Sequence, residues 1–314
     1  MNTVANTECR RNVKLMGSDF EFTVLQDEED GYKIVDEAIQ EVKRIENLLT
    51  EFTETSQTSL INRNAGIKAV VVDDEVYALI RRCKEIALLT QGAFDITAAG
   101  LRKLYNFKRG NADMPNTDQL KAALARIGSE KILLKDGKQV YLSQPGMHIG
   151  FGGIGKGYAA DAVKKILLQR GVKSAVINAS GDLAAFGLRA DGSLWKVGIA
   201  DPRDPARIMA WIPVQNASVA TSGDYEQYFE RNGIRYGHTI DPKTGYPVTG
   251  IKSVTIVSAS AELSDAIATA VTIMGVEVGL HFIEQLPGVH GLIINDHNKI
   301  FTSQHLRLNM NTLP

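Results

Sequence analysis

The sequence predicts an α+β fold in which antiparallel strands and helices are interspersed. Two observations carry this. Stretches with apolar residues at three- and four-residue steps mix irregularly with short strand patterns, and a hairpin is expected where residues 131–134 and 139–142 flank Asp136-Gly137. A doubly wound parallel sheet would instead repeat strand and helix in strict alternation. The 314 residues are 44% hydrophobic and 23% charged, the balance of a globular chain able to bury a sizeable core. Lys and Arg number 35 against 36 Asp and Glu, so the net charge of −1 gives no general reason to expect nucleic acid as partner, and any anion site must be local. Cys9 and Cys83 lie too far apart in sequence to suggest a disulfide framework or a Cys-rich metal site. Residues 1–13 are polar and lack the apolar stretch of a signal peptide, which leaves the compartment open.

Along the chain, Phe20, Phe22 and Val24 alternate with polar residues as in a half-exposed strand. Residues 32–49 place Ile34, Val35, Ala38, Ile39, Val42, Ile45, Leu48 and Leu49 on one helical face. The polar loop 50–58 follows, and its single large apolar residue, Phe52, is either a lid on the core or a ring that stacks on a planar ligand. A second helix is expected over 74–90, ending at Gly92. Residues 101–116 read as a solvated basic loop with Arg102, Lys103, Lys108 and Arg109, and 117–128 as a helix. After the hairpin come a buried strand at 175–179, broken by Ser180-Gly181-Asp182, and strands at 194–200 and 209–214. Pro213 argues that the last of these lies at a sheet edge, because it has no N–H for a ladder. Residues 220–225 read as a polar turn suited to phosphate, and 252–257 as a strand.

The stretch around which the rest is organised is Gly150-Phe151-Gly152-Gly153-Ile154-Gly155-Lys156-Gly157-Tyr158-Ala159-Ala160-Asp161. Glycines bring bare backbone close to a ligand, and a helix start with a lysine attracts an anion. A tight strand-to-helix turn would use the same residues. Downstream, His238-Thr239-Ile240-Asp241-Pro242-Lys243-Thr244-Gly245-Tyr246-Pro247 concentrates turn formers around one histidine. Asp265 and Thr269 stand four apart in a helix, so both oxygens share a face, as a Mg2+ site or as a cap with a back-bonded threonine.

Taken together, these stretches resemble the FAD:protein FMN transferase family, the ApbE-type flavin transferases. Five motifs stand in family order: Met16-Gly17-Ser18; Gly92-Ala93-Phe94-Asp95; the central glycine stretch; His238 to Pro247; and Ser264-Asp265-Ala266-Ile267-Ala268-Thr269. The resemblance implies an α+β fold related to the T-fold, with mixed antiparallel sheets, packed helices and FAD bound between sheet and loops. A single flavin transferase domain over 15–305 is expected, between tails at 1–14 and 306–314.

The activity implied is Mg2+-dependent cleavage of FAD, with transfer of FMN to a Thr or Ser of an acceptor protein and release of AMP. Acceptors in the family are subunits of membrane redox complexes, which implies action in the periplasm or at the outer face of the cytoplasmic membrane. Carried over by position, Gly153, Asp265 and Thr269 would hold the metal. Met16, Phe52, Ala93, Phe94, Asp95, Lys156 and Ile240 would line the FAD site, and His238 would act as base or position the diphosphate. Two positions depart from the family pattern: Gly150 and Ala268 stand where many members carry acidic residues. A hydrolase giving free FMN and AMP, or a non-catalytic flavin-binding protein, are the alternatives these departures raise.

Overall fold

The computed structural model describes all residues except 1–6, 106, 108–113, 202, 224–227, 232–233 and 311–314. Its first element is a hairpin in which β1 (Thr7–Leu15) pairs with β2 (Ser18–Gln26) across Met16-Gly17. Both turn residues have positive φ, 51° and 71°, the left-handed geometry whose twist matches that of the strands. The tail expected at 1–14 is therefore corrected: from Thr7 onward it is a strand. Only Cys9 and Leu15 of β1 are buried, so no alternating apolar pattern announced it.

α1 (Glu28–Leu49) buries Val35, Ala38, Ile39, Val42, Ile45 and Leu49. It starts ahead of its apolar stripe because Asp27 caps it and Glu28, Glu29 and Asp30 suit the positive end of the helix dipole. α2 (Gln57–Arg63), capped by Ser56, shortens the loop expected at 50–58. β3 (Val70–Val71) and α3 (Asp74–Leu89) follow. A 3₁₀ segment, Ile96–Leu104, occupies the start of the expected basic loop, whose Lys108 and Arg109 lie outside the described residues. α4 (Thr117–Leu124) opens on a capping box between Asn116 and Gln119 and ends short of 128, where Arg126 and Ile127 turn to tighter three-residue bonds. β4 (Ile132–Lys135) and β5 (Gln139–Leu142) form the predicted hairpin.

The second half supplies α5 (Gly155–Gln169), β6 (Ala175–Ala179), β7 (Asp182–Phe186), β8 (Trp195–Asp201), β9 (Asp204–Val214), β10 (Ala217–Gly223), β11 (Tyr228–Arg231), β12 (Ile234–Gly237) and β13 (Ile251–Ser258). α6 (Ala261–Glu284), β14 (His290–Asn295), β15 (Ile300–Thr302) and β16 (Asn309–Met310) complete it. The polar turn expected at 220–225 is corrected as far as Gly223: those residues continue β10, an interior strand, and 224 and 225 are not described.

The main sheet runs β1-β2-β6-β7-β10-β13-β14-β15, with every neighbouring pair antiparallel. Its two faces are both covered. Phe22, Ile177, Ala184 and Phe186 join the helix-side core with α1 and α5, whereas Val176, Leu183, Ala185 and Val219 face the other way. There they meet Trp195, Ile199, Ala210, Ile212 and Val214 of a smaller sheet, β16-β9-β8. Two-sided cover explains why β7 is buried at every position although its sheet is antiparallel. β9 is not an edge strand, contrary to the inference from Pro213. Among the described residues β16 pairs with it at Ala210 and Trp211, so the missing N–H of Pro213 falls beyond that short ladder. The same pairing ends the expected tail at 306–314 before Asn309.

α6 rests against β13 and β14 through Ile267, Ala268, Val271 and Ile283. Its helical geometry breaks at Gly275, with φ 78° and ψ −176°, a region open essentially to glycine alone. Gly275→Ala is expected to lower unfolding free energy by about 1–3 kcal/mol. Urea unfolding of the variant against wild type checks this, and equal midpoints and slopes would contradict it.

Candidate active site

The first turn of α5 lies directly on α6. Gly157 permits the approach, since a Cβ there would overlap the Ala261 carbonyl oxygen and come within 2.9 Å of Asp265 Cβ. The Gly157 N–H in turn donates to Asp265 Oδ2 at 3.2 Å. One turn further, Asp161 accepts from the Ser260 hydroxyl at 2.7 Å and from the Ala261 and Glu262 N–H groups at 3.0 Å each, tying α5 to the start of α6. Gly153 closes on Thr269: a Cβ on that glycine would stand 2.8 Å from Thr269 Oγ1. Gly153, Asp265 and Thr269, the three positions that the resemblance groups, are thus brought to one place.

Lys156 joins them. Its ammonium pairs with the buried carboxylate of Asp182, and Asp182 also accepts from the Thr221 main-chain N–H. Burial works against the charge on Lys156, but Asp182 and Asp265 outweigh it and hold the ammonium above its ordinary pKa. For Asp265, burial and then the nearby Asp182 charge push the carboxyl up to about 8, against the pull of Lys156 and the Gly157 N–H. Burial also pushes Asp182 up. One cation facing two buried carboxyls can satisfy one of them. Because the ammonium touches Asp182, Asp265 is the carboxyl whose charge is less compensated, which favours its protonated form.

This arrangement fits a hard divalent cation. Among the described residues no group of three or more His, Cys, Asp or Glu gathers, so a cation here would rely on one carboxylate and neutral oxygens. Mg2+ is commonly held that way, with phosphate oxygens and water completing its shell. α5 itself starts without a side-chain cap from Ile154 or an acidic residue in its first turn, but its Gly155 N–H bonds the Phe151 carbonyl and its Gly157 N–H bonds Asp265, so what it offers an anion is chiefly the positive end of its dipole. Ala268 is buried among the apolar residues that α6 sets against β13 and β14, so a carboxylate at that position would enter the core.

The other motif residues are placed less uniformly. Met16, at the tip of the first hairpin, reaches within 3.5 Å of where a Cβ on Gly155 would lie. Ala93 and Phe94 are buried in the helix-side core. Asp95 Oδ1 accepts from the Thr97 N–H at 2.8 Å and hydroxyl at 2.6 Å, and Oδ2 from the Ser129 N–H at 2.8 Å, so both oxygens serve the local fold. Phe52 is 91% exposed, which removes the lid on the core and leaves a ring open to a ligand. Ile240 packs with Leu101, Tyr105 and Phe229, next to the half-buried His238 at the end of β12. The loop beyond is closed by Asp241, which accepts from the Lys243 N–H at 2.8 Å and the Thr244 hydroxyl at 3.0 Å, and Tyr105 donates to the Gly245 carbonyl at 2.6 Å. Gly92 faces Lys243 across 3.9 Å, measured from a built Cβ, which links this loop to the Ala93–Asp95 segment.

Sequence reasoning missed Asp182 as a functional residue. It registered only as part of a break between strands; the available signal was a carboxylate opening a wholly apolar strand. A pair formed by Glu51 and His148 was missed as well.

Known proteins resemble this chain along most of its length. The model of the ApbE family matches residues 16–293. An FAD:protein FMN transferase of Treponema pallidum is 34% identical, covering 86% of this chain and 79% of that protein. One from Klebsiella pneumoniae is 32% identical over 87% and 86% of the two chains. Among solved structures, the ApbE protein of Thermotoga maritima superposes with a TM-score of 0.87 at 32% identity, covering 95% of this chain and 97% of that one. The apo flavinyl transferase ApbE of Pseudomonas stutzeri gives 0.86 at 26% identity, with 97% of each chain covered.

The raised Asp265 pKa has a measurable consequence in metal-free protein. The folded state binds a proton that the unfolded chain gives up above about pH 4, so this contribution is complete below that value and lost as pH rises through about 8. Unfolding free energy is expected to fall from about pH 5 to about pH 8, and Asp265→Asn to flatten that fall. Urea titrations at stepped pH test it; parallel profiles for the two proteins would count against the assignment.

Proposed function

The chain belongs to the ApbE family, and we propose that it is a Mg2+-dependent FAD:protein FMN transferase. In this reading it cleaves FAD, attaches FMN through a phosphoester bond to a Ser or Thr of an acceptor protein, and releases AMP. The observation that carries the reading is the meeting of Gly153, Thr269 and Asp265 with Lys156 at the first turn of α5. Lone glycine turns and helix caps do not need that combination.

Gly153 through its carbonyl, Asp265 and Thr269 would hold Mg2+, which when bound supplies positive charge against the diphosphate. Asp265 must release its proton to take that role. Lys156, fixed by Asp182, holds a second positive charge at the same loop, and the positive end of the α5 dipole favours phosphate there. Phe52 offers its exposed face to a flat ring. His238 receives the proton of the acceptor hydroxyl as that oxygen attacks the flavin-side phosphorus. The bond from this phosphorus to the bridging oxygen breaks, and AMP leaves with that oxygen. We further propose, on family resemblance, an acceptor that is a subunit of a membrane redox complex, and action in the periplasm or at the outer face of the cytoplasmic membrane.

The test is incubation of the protein with FAD, Mg2+ and an acceptor domain bearing a Ser or Thr flavinylation motif, followed by intact mass and AMP analysis. One added FMN per acceptor with equal AMP is the expected result. AMP with only free FMN would indicate hydrolysis, and bound FAD without AMP a flavin-binding protein. Asp265→Ala is expected to abolish Mg2+-dependent AMP release while FAD still binds; undiminished release would remove the metal assignment.

A further inference from the structure

A second cluster of ionisable groups adjoins the glycine loop. Glu51 lies just past α1 in the loop that carries Phe52, His148 on the segment leading into Gly150, and Lys103 near the end of the 3₁₀ segment. Lys103 Nζ stands 3.2 Å from His148 Nδ1. An ammonium can only donate, so Nδ1 is the acceptor and the ring proton lies on Nε2, which faces Glu51 Oε2. Asn62 fixes the same segment: its amide donates to the Ile149 carbonyl at 2.9 Å and accepts from the Ile149 N–H at 2.8 Å. The result is a carboxylate oriented through one oxygen only.

Its other oxygen faces the loop. A Cβ on Gly150 would lie 2.8 Å from Ala99 Cβ, too close to be accommodated, and 3.3 Å from Glu51 Oε1, so bare backbone at 150 brings the start of the glycine loop up against Glu51. The Glu51 side chain keeps 23% of its surface exposed and His148 15%, so the pair is sheltered but reachable. The next residue, Phe52, is exposed, and the glycines after Gly150 lead to Gly153 and Lys156. A carboxylate here repels phosphate. What it accepts from a ligand is a hydroxyl or a ring N–H.

We propose that Glu51 is a specificity-determining residue that accepts a hydrogen bond from a hydroxyl or nitrogen donor of the dinucleotide, with His148 and Lys103 as the residues that position it. The inference rests on the FAD reading above. It gives the site a means of sorting flavin nucleotides by their donor groups, separate from the grip on phosphate.

The test is titration of the full chain with FAD and with FMN, followed by flavin fluorescence, for wild type, Glu51→Gln, Glu51→Asp and His148→Gln. Thermal unfolding without ligand is measured in parallel. Loss of a hydrogen bond to a charged acceptor predicts that Glu51→Gln weakens FAD about tenfold or more at an unchanged unfolding temperature. Glu51→Asp should recover part of the loss, and His148→Gln should show a smaller one. Weakening of FAD alone places the donor on the adenosine half; equal weakening of FMN places it on the flavin half. Wild-type affinity in Glu51→Gln, or a loss matched by lower thermal stability, overturns the proposal. If wild type itself binds no FAD, the functional reading fails and this inference with it.

Discussion

The contact between the first turn of α5 and the first two turns of α6 is the constraint on which the site depends. Bare backbone at Gly157 lets the helices touch, and bare backbone at Gly153 lets the loop reach Thr269. Asp265 sits at that seam and bonds across it. Asp161 clamps the opposite end of the same seam to the α6 N-terminus. Larger residues at either glycine would wedge apart the groups that must meet a ligand, so site geometry and helix packing are one requirement.

Around this seam the charges are arranged unequally. Lys156 and Asp182 form a buried pair, and buried pairs add little net stability because desolvation opposes their attraction. The pair instead holds an ammonium in a fixed place where a flexible side chain would otherwise wander. Asp265 is left as the unmatched acid beside it. Keeping that carboxyl neutral avoids an uncompensated buried charge.

Much of this was legible in the sequence. The α1 and α3 stripes, the β4–β5 hairpin and the one-turn spacing of Asp265 and Thr269 follow from local periodicity, and the structure has them. What failed was non-local. Asp182 meets Lys156 only because β7 lies beside the start of α5, and nothing in the intervening chain encodes that neighbourhood. Pro213 suggested an edge because a ladder bond was assumed on both sides, whereas the described part of β16 pairs with β9 at Ala210 and Trp211, short of Pro213. β1 escaped notice because only Cys9 and Leu15 of it are buried, so its pattern looked like a polar tail. Phe52 was ambiguous between core and ligand, and only its exposure separates the two. Glu51 and His148, far apart in sequence, carry no local signature.

The outer strands of the main sheet bear on how copies of the chain meet one another. β1 presents Glu8, Arg10, Arg11 and Asn12 to water, with Arg10 and Arg11 engaged by Glu21 and Asp36. β15, at the far side, spans only Ile300–Thr302. A second molecule seeking to extend the sheet would have to strip water from charged side chains at one border and would find three residues to grip at the other. The two borders of the main sheet thus discourage edge-to-edge growth of that sheet.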